Sequence, residues 1–487
     1  MNYPQTLDYL YTRLPLFSRI GAAAYKANLD NTIELCKSLG DPQAKFRSVH
    51  IAGTNGKGSV SHMLAAILQT AGYKTGLYTS PHLKDFRERI RVNGEMISQA
   101  FIIDFTKKIN PLIEKLNPSF FEITVAMAFD YFAQQEIDIA IVETGLGGRL
   151  DSTNIITPEL SVITNIGWDH MNLLGDSLEK IAGEKAGIIK QNVPAIIGET
   201  IKETRPVFEK IAAEKNASLT IASQKRQAIE WKWEKHELIV EVAEKNKTDH
   251  HVYKLDLPGL YQTKNLLTVL ETCSQLQQKG WNIDESDIHK ALEQVKKLTG
   301  LHGRWDIIHE HPLIILDVGH NEDGIKQILK QIELTDHHEL HIILGMVNDK
   351  EIDKVLEQLP KTAHYYFTQA QIPRALKAES LKQKAENLGL NGKTYPDVNT
   401  ALKTAKDKAP KNDLVIVCGS VFLVAEEERS RFCMKLSSQA MMRGDTHHSS
   451  RQERRPWINE TAAVLIHYFS WESCCVERHR GFFFCGH

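Results

Sequence analysis

The run most able to do chemistry is Gly53-Thr54-Asn55-Gly56-Lys57-Gly58-Ser59. Its glycines let backbone N–H groups approach phosphate oxygens, and Lys57 can neutralise the β- and γ-phosphates of a nucleotide. The strict G-x-x-x-x-G-K-[ST] pattern is not met, because Ile51 stands where the first glycine belongs and Gly58 separates Lys57 from Ser59. A second candidate is Glu143, which closes the apolar run Ile139-Ala140-Ile141-Val142. An acid at the carboxyl edge of a buried strand has few structural uses and suits a magnesium ligand. The chain carries neither a serine-hydrolase elbow nor a Cys/His nucleophile pattern.

These residues need elements to hold them. Ser48-Val49-His50-Ile51 reads as a strand leading into the glycine-rich turn. The helix that follows places Val60, Leu64, Ile67, Leu68 and Ala71 on one face. Further strands are expected at Gly76 to Thr79, Ile137 to Glu143 and Leu160 to Asn165, each ending in polar residues where a parallel sheet presents its ligands. Short β-rich runs alternating with helical stretches give an α/β class with a mostly parallel sheet. From about Ala222 to Leu257 the pattern alternates, which predicts a small antiparallel meander, followed by a helix from near Thr263. The short basic segment Lys296 to Arg304 precedes a second, Rossmann-like α/β set starting at Leu313 to Asp317, with further strands at His341 to Leu344, Ala363 to Thr368 and Leu414 to Cys418. The expected organisation is one domain over 1–297, a smaller one over 298–436, and an atypical tail over 437–487.

Composition excludes several function classes. The 487 residues are 42% apolar and 25% charged, ordinary for a folded, water-soluble chain. Lys+Arg 59 against Asp+Glu 61 leaves a net charge of -2, so no global field draws the protein onto nucleic acid or an anionic membrane. The longest apolar stretch, around Leu414 to Ala425, is interrupted by Gly419 and Ser420 and falls short of the ~20 residues of a spanning helix. The start, Met1-Asn2-Tyr3-Pro4, lacks signal-peptide regions, and Cys36, Cys273, Cys418 and Cys433 are isolated, so a cytoplasmic location is expected. The tail holds three of the seven cysteines and five of the 21 histidines. Its adjacent Cys474-Cys475 do not match zinc spacing, and it reads as an appended segment outside the fold.

The phosphate loop and Val142-Glu143-Thr144-Gly145-Leu146-Gly147-Gly148-Arg149-Leu150-Asp151-Ser152-Thr153-Asn154 together resemble the folylpolyglutamate synthase/dihydrofolate synthase family of the Mur ligase superfamily. Matching segments follow in family order: Tyr78-Thr79-Ser80-Pro81-His82, Asp169-His170, Gly183-Glu184-Lys185-Ala186-Gly187, His302-Gly303-Arg304-Trp305 and Asp317-Val318-Gly319-His320-Asn321. The resemblance extends to about Arg431. It implies a P-loop, Mur-ligase-like fold and an ATP-dependent ligase that joins L-glutamate to dihydropteroate, reduced folates or both. A carboxylate is a poor acyl donor, so it first attacks the γ-phosphate and becomes an acyl phosphate, which the glutamate amine then opens. Both steps concentrate negative charge, which favours cationic and metal electrostatics over a protein nucleophile.

By the same resemblance, Ser80, Glu143 and His170 are ligands of Mg²⁺, of which two ions are expected. ATP is held by Gly56, Lys57, Gly58, Ser59, Asn265, Arg304 and Asp317. The pterin meets Phe121, Glu122, Ile123, Thr124, Leu150, Asp151 and Ser152, and His320 and Ser420 serve glutamate or phosphate. Lys57, His170 and Lys185 are the catalytic set, with Lys185 matching a position that family members carry as an N-carboxylated lysine. Taken alone, most of these have plainer readings: His170 a hydrogen-bonded structural histidine, Ser80 a turn residue, Arg304 a linker ion pair, Asp317 a cap before Asn321, Phe121 core packing. The partners expected are small molecules only, with no nucleic acid and no membrane, acting on a monomeric chain.

Two other functions compete. A peptidoglycan Mur ligase shares the chemistry but places a further domain before the loop, and 52 residues precede Gly53 here. A non-catalytic ATP-binding module would bind ATP without glutamate-dependent phosphate release, and the matching carboxylate, histidine and lysine positions weigh against it.

Overall fold

The computed structural model describes residues 1–428 apart from 17–18, 20, 22–25, 27, 246 and 349–351. Expectations for Cys433 and for 437–487 lie outside the described residues.

The first sheet has eight strands: β1 (Arg47–Ala52), β2 (Thr75–Tyr78), β3 (Ile90–Val92), β4 (Glu95–Met96), β5 (Ile139–Glu143), β6 (Leu160–Ile163), β7 (Ala195–Ile197) and β8 (Leu219–Ile221). Their order is β4-β3-β2-β5-β1-β6-β7-β8. All neighbours are parallel except β2–β3 and β3–β4. β5 is buried at every position, as a strand covered on both faces must be, and its unbroken apolar run reflects that. The β3–β4 hairpin turns on Asn93 and Gly94, both at positive φ, a turn type that this dipeptide favours.

The helix Lys57–Thr70 follows β1. It is more deeply set than a one-faced amphipathic helix, because ten consecutive residues from Ser59 to Leu68 are buried. One side packs on Val49, Ile51, Ile139 and Ile141 of the sheet, and the other meets Leu266, Val269, Leu270 and Ile288 of later helices. A helix apolar all round belongs in the interior. The meander is present as β9 (Arg226–Glu234), β10 (Glu237–Glu244) and β11 (His250–Leu255), antiparallel throughout. It leads to the helix Gln262–Gln278.

The second sheet runs β12-β13-β17-β14-β15-β16 over β12 (Asp306–Glu310), β13 (Leu313–Leu316), β14 (Leu340–Leu344), β15 (His364–Phe367), β16 (Gly392–Thr394) and β17 (Leu414–Cys418). It begins one strand earlier than the sequence pattern implies, since β12 pairs antiparallel with β13 as an edge strand. Part of the expected Lys296–Arg304 connection is also helical, as Val295–Thr299, and ends on Gly300 in the left-handed region. The mixed α/β class with parallel-dominated sheets is the one anticipated. Among the described residues, no helix is long and apolar enough to cross a membrane.

A buried amide ties the two sheet units together. Gln331, in the helix Glu322–Glu333, is 1% exposed. Its Nε2 donates to the Pro258 carbonyl at 2.9 Å, and its Oε1 accepts from the Leu260 N–H at 2.7 Å. Gln331→Leu keeps the volume but orphans both backbone groups, at ~1–3 kcal/mol each. Denaturant unfolding should show a loss of about 2–4 kcal/mol, and a loss below 0.5 kcal/mol would mean the amide is not a clamp.

Candidate active site

The phosphate loop is fixed by contacts that require its glycines. Gly53 has φ +146°, and a Cβ there would lie 1.9 Å from Thr164 Oγ1. A Cβ on Gly56, at φ +86°, would lie 2.3 Å from Asn265 Oδ1. Between them, Thr54 Oγ1 donates to the Gly167 carbonyl at 3.1 Å and accepts from the Gly167 N–H at 2.9 Å. The Asn55 N–H donates to Asn165 Oδ1 at 3.0 Å, and Thr164 Oγ1 donates to the Asn55 carbonyl at 2.6 Å. The loop is therefore bolted to the segment that follows β6.

Two ammonium groups meet on this loop. Lys57 Nζ lies 3.0 Å from the Gly53 carbonyl and 3.2 Å from the Thr54 carbonyl. Lys185, in the helix Leu178–Ala186 and 4% exposed, places its Nζ 2.8 Å from the same Gly53 oxygen. Both side chains thus reach the phosphate loop from different helices, where their positive ends can face an anion.

Gly58 explains the departure from the strict loop pattern. A Cβ at this position would lie 3.1 Å from Arg304 Nη2 and 3.9 Å from Glu143 Oε2. The missing side chain leaves room for a guanidinium from beyond the first sheet and for the carboxylate that ends β5. Glu143 is 5% exposed, and its Oε2 accepts the Ser80 N–H at 3.3 Å. Burial pushes its carboxyl up to about 7, against the opposing pull of the Lys57 and Arg304 charges. Ser59 Oγ accepts from Gln262 Nε2 at 3.1 Å, while Gln262 Oε1 accepts from Asn265 Nδ2 at 2.8 Å. The amide pair Gln262 and Asn265 thus sets the start of the helix, and Gln262 is a contributor that the motifs did not single out.

From the second unit, Asn321 caps the helix Glu322–Glu333, its Oδ1 accepting the Gly324 N–H at 2.8 Å. Its side chain also faces Asn55 of the phosphate loop in paired 3.2 Å contacts, and its Nδ2 is 3.4 Å from Asp169 Oδ2. Asp169 stands between two imidazoles, with His170 Nε2 at 3.8 Å and His320 Nε2 at 3.7 Å. His170 itself has φ +50°. Asp169, His170, His320 and Asn321, with Trp168 and Glu322, line a cavity of about 320 Å³. Asp317 does not cap a helix. Its buried carboxylate accepts from Tyr261 Oη at 2.6 Å, the Trp305 N–H at 2.8 Å and the Gly319 N–H at 2.8 Å, and so ties the start of the helix Gln262–Gln278 to the entry of the second sheet. Arg304 Nη1 donates to the His302 carbonyl at 2.9 Å.

The expected pterin residues divide. Phe121 and Leu150 are partly exposed. The Phe121 ring lies so close to Gly145 that a Cβ there would approach its Cζ to 2.5 Å. Glu122 is instead spent on the capping box of the helix Phe120–Gln134, accepting the Ser119 N–H at 2.6 Å. Ile123 is 0% exposed in the core, and Thr124 donates to the Phe121 carbonyl at 2.9 Å. Asp151 shapes the glycine-rich turn by accepting the N–H groups of Gly145 and Leu146 at 2.9 and 2.8 Å. Ser152 is buried beside it. Ser420 caps the helix Val421–Ala425, accepting the Phe422 N–H at 3.2 Å. The side chains of Glu122, Thr124, Asp151 and Ser420 thus make hydrogen bonds within the fold, and Ile123 packs in the core.

This combination of loop, buried acid and second α/β unit is that of the Mur ligases. The Mur ligase middle domain matches residues 51–273, and the Mur ligase glutamate ligase domain matches residues 303–421. The dihydrofolate synthase/folylpolyglutamate synthase of Bacillus subtilis is 33% identical over 418 residues, covering 82% of this chain and 94% of the relative. The Escherichia coli protein of the same description is 34% identical over 382 residues, covering 77% and 84%. Among solved structures, folylpolyglutamate synthase from Thermotoga maritima aligns with TM-score 0.71 at 31% identity, covering 87% of this chain and 95% of that one. E. coli FolC in complex with DHPP and ADP aligns with TM-score 0.75 at 30% identity, covering 87% and 96%. The chain belongs to the dihydrofolate synthase/folylpolyglutamate synthase family.

The raised Glu143 carboxyl has a consequence for stability. Folded, it titrates near 7; unfolded, near 4.5. The fold thus holds the proton more tightly, so stability from this group is greatest below 4.5 and is lost as pH rises through 7. At pH 8, without ligands, Glu143→Gln should raise stability by up to ~3 kcal/mol while removing turnover. A lower melting temperature for the variant at pH 8 would show that the ionised carboxylate is stabilising instead.

Proposed function

We propose that this protein joins L-glutamate to dihydropteroate and to reduced folates with cleavage of ATP to ADP and phosphate. The observation that carries this reading is the convergence of Lys57, Lys185 and Arg304 around the Gly53–Ser59 loop and Glu143. The folate enzymes among its relatives support a pterin acceptor over a peptidoglycan precursor.

In this reading Gly56, Lys57, Gly58 and Ser59 cradle the phosphates, and Asn265 and Arg304 complete the nucleotide site. Asp317 positions Arg304 by fixing the Trp305 backbone next to it. The loop and Arg304 come from opposite sides of a domain boundary placed near residue 298, so closure of one unit on the other assembles the site. In this reading the chain acts as a monomer in the cytoplasm, one chain supplying all these groups. Phe121 offers a flat apolar face for the pterin, and His320 lies in the cavity where glutamate would enter.

A substrate carboxylate oxygen attacks the γ-phosphorus, the bond to the ADP oxygen breaks, and an acyl phosphate results. The glutamate nitrogen then attacks the acyl carbon, inorganic phosphate leaves, and the amine proton passes to solvent or a nearby base. Lys57 and Arg304 meet the charge that develops on the transferred phosphoryl group. The donor set Ser80, Glu143 and His170 fits Mg²⁺, since a buried carboxylate with a raised pKa gains most from a cation. When bound there, Mg²⁺ would neutralise phosphate charge. Lys185 is the residue proposed to carry the carbamate. Its deprotonated amine adds to CO₂ with loss of a proton, replacing a cation by an anionic oxygen donor.

Phosphate release measured with ATP and glutamate should require an acceptor, and both dihydropteroate and tetrahydrofolate should serve. Turnover of tetrahydrofolate alone would reduce the assignment to a single activity, and acceptor-independent release would end it. Lys57→Ala should cost ~10²–10³ in kcat, about 3–4 kcal/mol, with an unchanged fold by circular dichroism. Lys185→Ala should be nearly inactive and partly rescued by short carboxylic acids in solution. Wild-type activity in Lys185→Arg would remove the carbamate, since arginine cannot form it.

A further inference from the structure

The connection from Glu143 to β6 is tied to two other parts of the site by neighbouring residues, Thr153 and Asn154, in the short turn Ser152–Ile155. Thr153 Oγ1 donates to Asp151 Oδ1 at 2.5 Å and lies 2.8 Å from Nε2 of His50, a buried residue of β1. Since the hydroxyl proton goes to Asp151, the imidazole is the donor in the second contact. Asn154, 7% exposed, uses its Nδ2 twice, donating to the Arg149 carbonyl and to the Gly187 carbonyl at 3.0 Å each. An amide oxygen in that place would face two carbonyl oxygens, so the orientation of the amide is fixed.

Gly187 directly follows the helix Leu178–Ala186, which carries Lys185. The end of this helix and the glycine-rich turn are pressed together without room for side chains. A Cβ on Gly148 would lie 2.7 Å from the Lys185 carbonyl oxygen, and one on Gly187 would lie 2.3 Å from Arg149 Cβ. The Arg149 guanidinium also donates to Glu184 Oε1 at 2.8 Å, but the arginine side chain is 56% exposed and such a pair contributes little. The buried Asn154 amide is therefore the stronger side-chain tie between turn and helix. Half-buried Lys190 holds it from the far side, donating from Nζ to the Asn154 carbonyl at 2.7 Å. These contacts close a ring. His50 of β1 holds the turn, the turn holds the end of the helix, and Lys185 Nζ returns to the carbonyl of Gly53, the residue that follows β1.

We propose that Asn154 is a positioning residue for the ligase reaction: by gathering the Arg149 and Gly187 carbonyls on one amide nitrogen, it sets the point at which Lys185 meets the phosphate loop. Lys190 supports it by fixing the Asn154 backbone. Asn154 acts through Lys185 alone, so the inference rests on the assignment of Lys185 to the reaction made above. A displacement of about 1 Å in a reacting group costs on the order of 10²-fold in rate. The nucleotide is held by the loop and by Asn265 and Arg304, so its binding does not depend on this tie. Loss of Asn154 therefore falls on kcat and leaves the KM for ATP in place.

The test is a double-mutant cycle on the full chain, with Asn154→Ser and Lys185→Ala made singly and together and phosphate release followed with radiolabelled ATP, which reads slow turnover. In the wild-type background Asn154→Ser should lower kcat by ~10–10²-fold and keep the KM for ATP within about twofold. In the Lys185→Ala background the same substitution should cost less than about twofold, since the group it positions is gone. Lys190→Met leaves the amide in place and should show the same split at smaller amplitude; it carries the cycle if Asn154→Ser does not fold. An unchanged kcat in the wild-type background, or an equal loss in both backgrounds, would overturn the proposal and leave Asn154 a purely structural residue. Wild-type turnover in Lys185→Ala is a different failure: it would remove Lys185 from the reaction, and the positioning role of Asn154 with it.

Discussion

Two lysine side chains meeting on one carbonyl oxygen is the constraint around which this site is organised. Lys57 and Lys185 both contact the Gly53 oxygen, from different helices and from positions far apart in the chain. Holding two long side chains on one oxygen needs a well-packed frame. The deeply buried helix after the loop is that frame. It fixes Lys57 from one side, while the helix carrying Lys185 packs its apolar residues under β6 and β7. Glu143 stands beside the loop with a carboxyl that burial raises to about 7, and Gly58 lacks a side chain where Arg304 approaches.

Much of the fold was legible because its strands are either continuously apolar or clearly alternating. β1, β5, β14 and β17 sit inside parallel sheets, and β10 alternates against its antiparallel neighbours. What escaped was short or at an edge. β7, β8 and β16 have three residues each, too few to show a period. β12 carries Asp306 and His309 inside, which breaks the apolar pattern, although both are buried with hydrogen-bond partners.

The site was legible in a different way. Residues proposed to act through backbone or charge, such as Gly56, Lys57 and Glu143, announced themselves by type and position. Segment matches could not tell a side chain that meets a ligand from one that holds the segment in shape. Glu122 and Asp151 sit in matching segments and are turned inward, accepting backbone N–H groups. Conversely Asn55 and Asn321 join the two halves of the site, and Gln262 braces the start of the helix after the loop. A neutral amide in a loop gives little signal before the partner across the interface is known.

The Asn55–Asn321 contact has a kinetic meaning. It is a latch of neutral amides, each hydrogen bond worth about 1 kcal/mol net. Gln331 and the Tyr261–Asp317 pair, near the chain connection, are buried and much costlier to open. The molecule is therefore stiff at its pivot and weakly held at its mouth. Were the two units to part there, the amide pair would be the cheaper contact to break, ahead of the buried Gln331 and Asp317 ties.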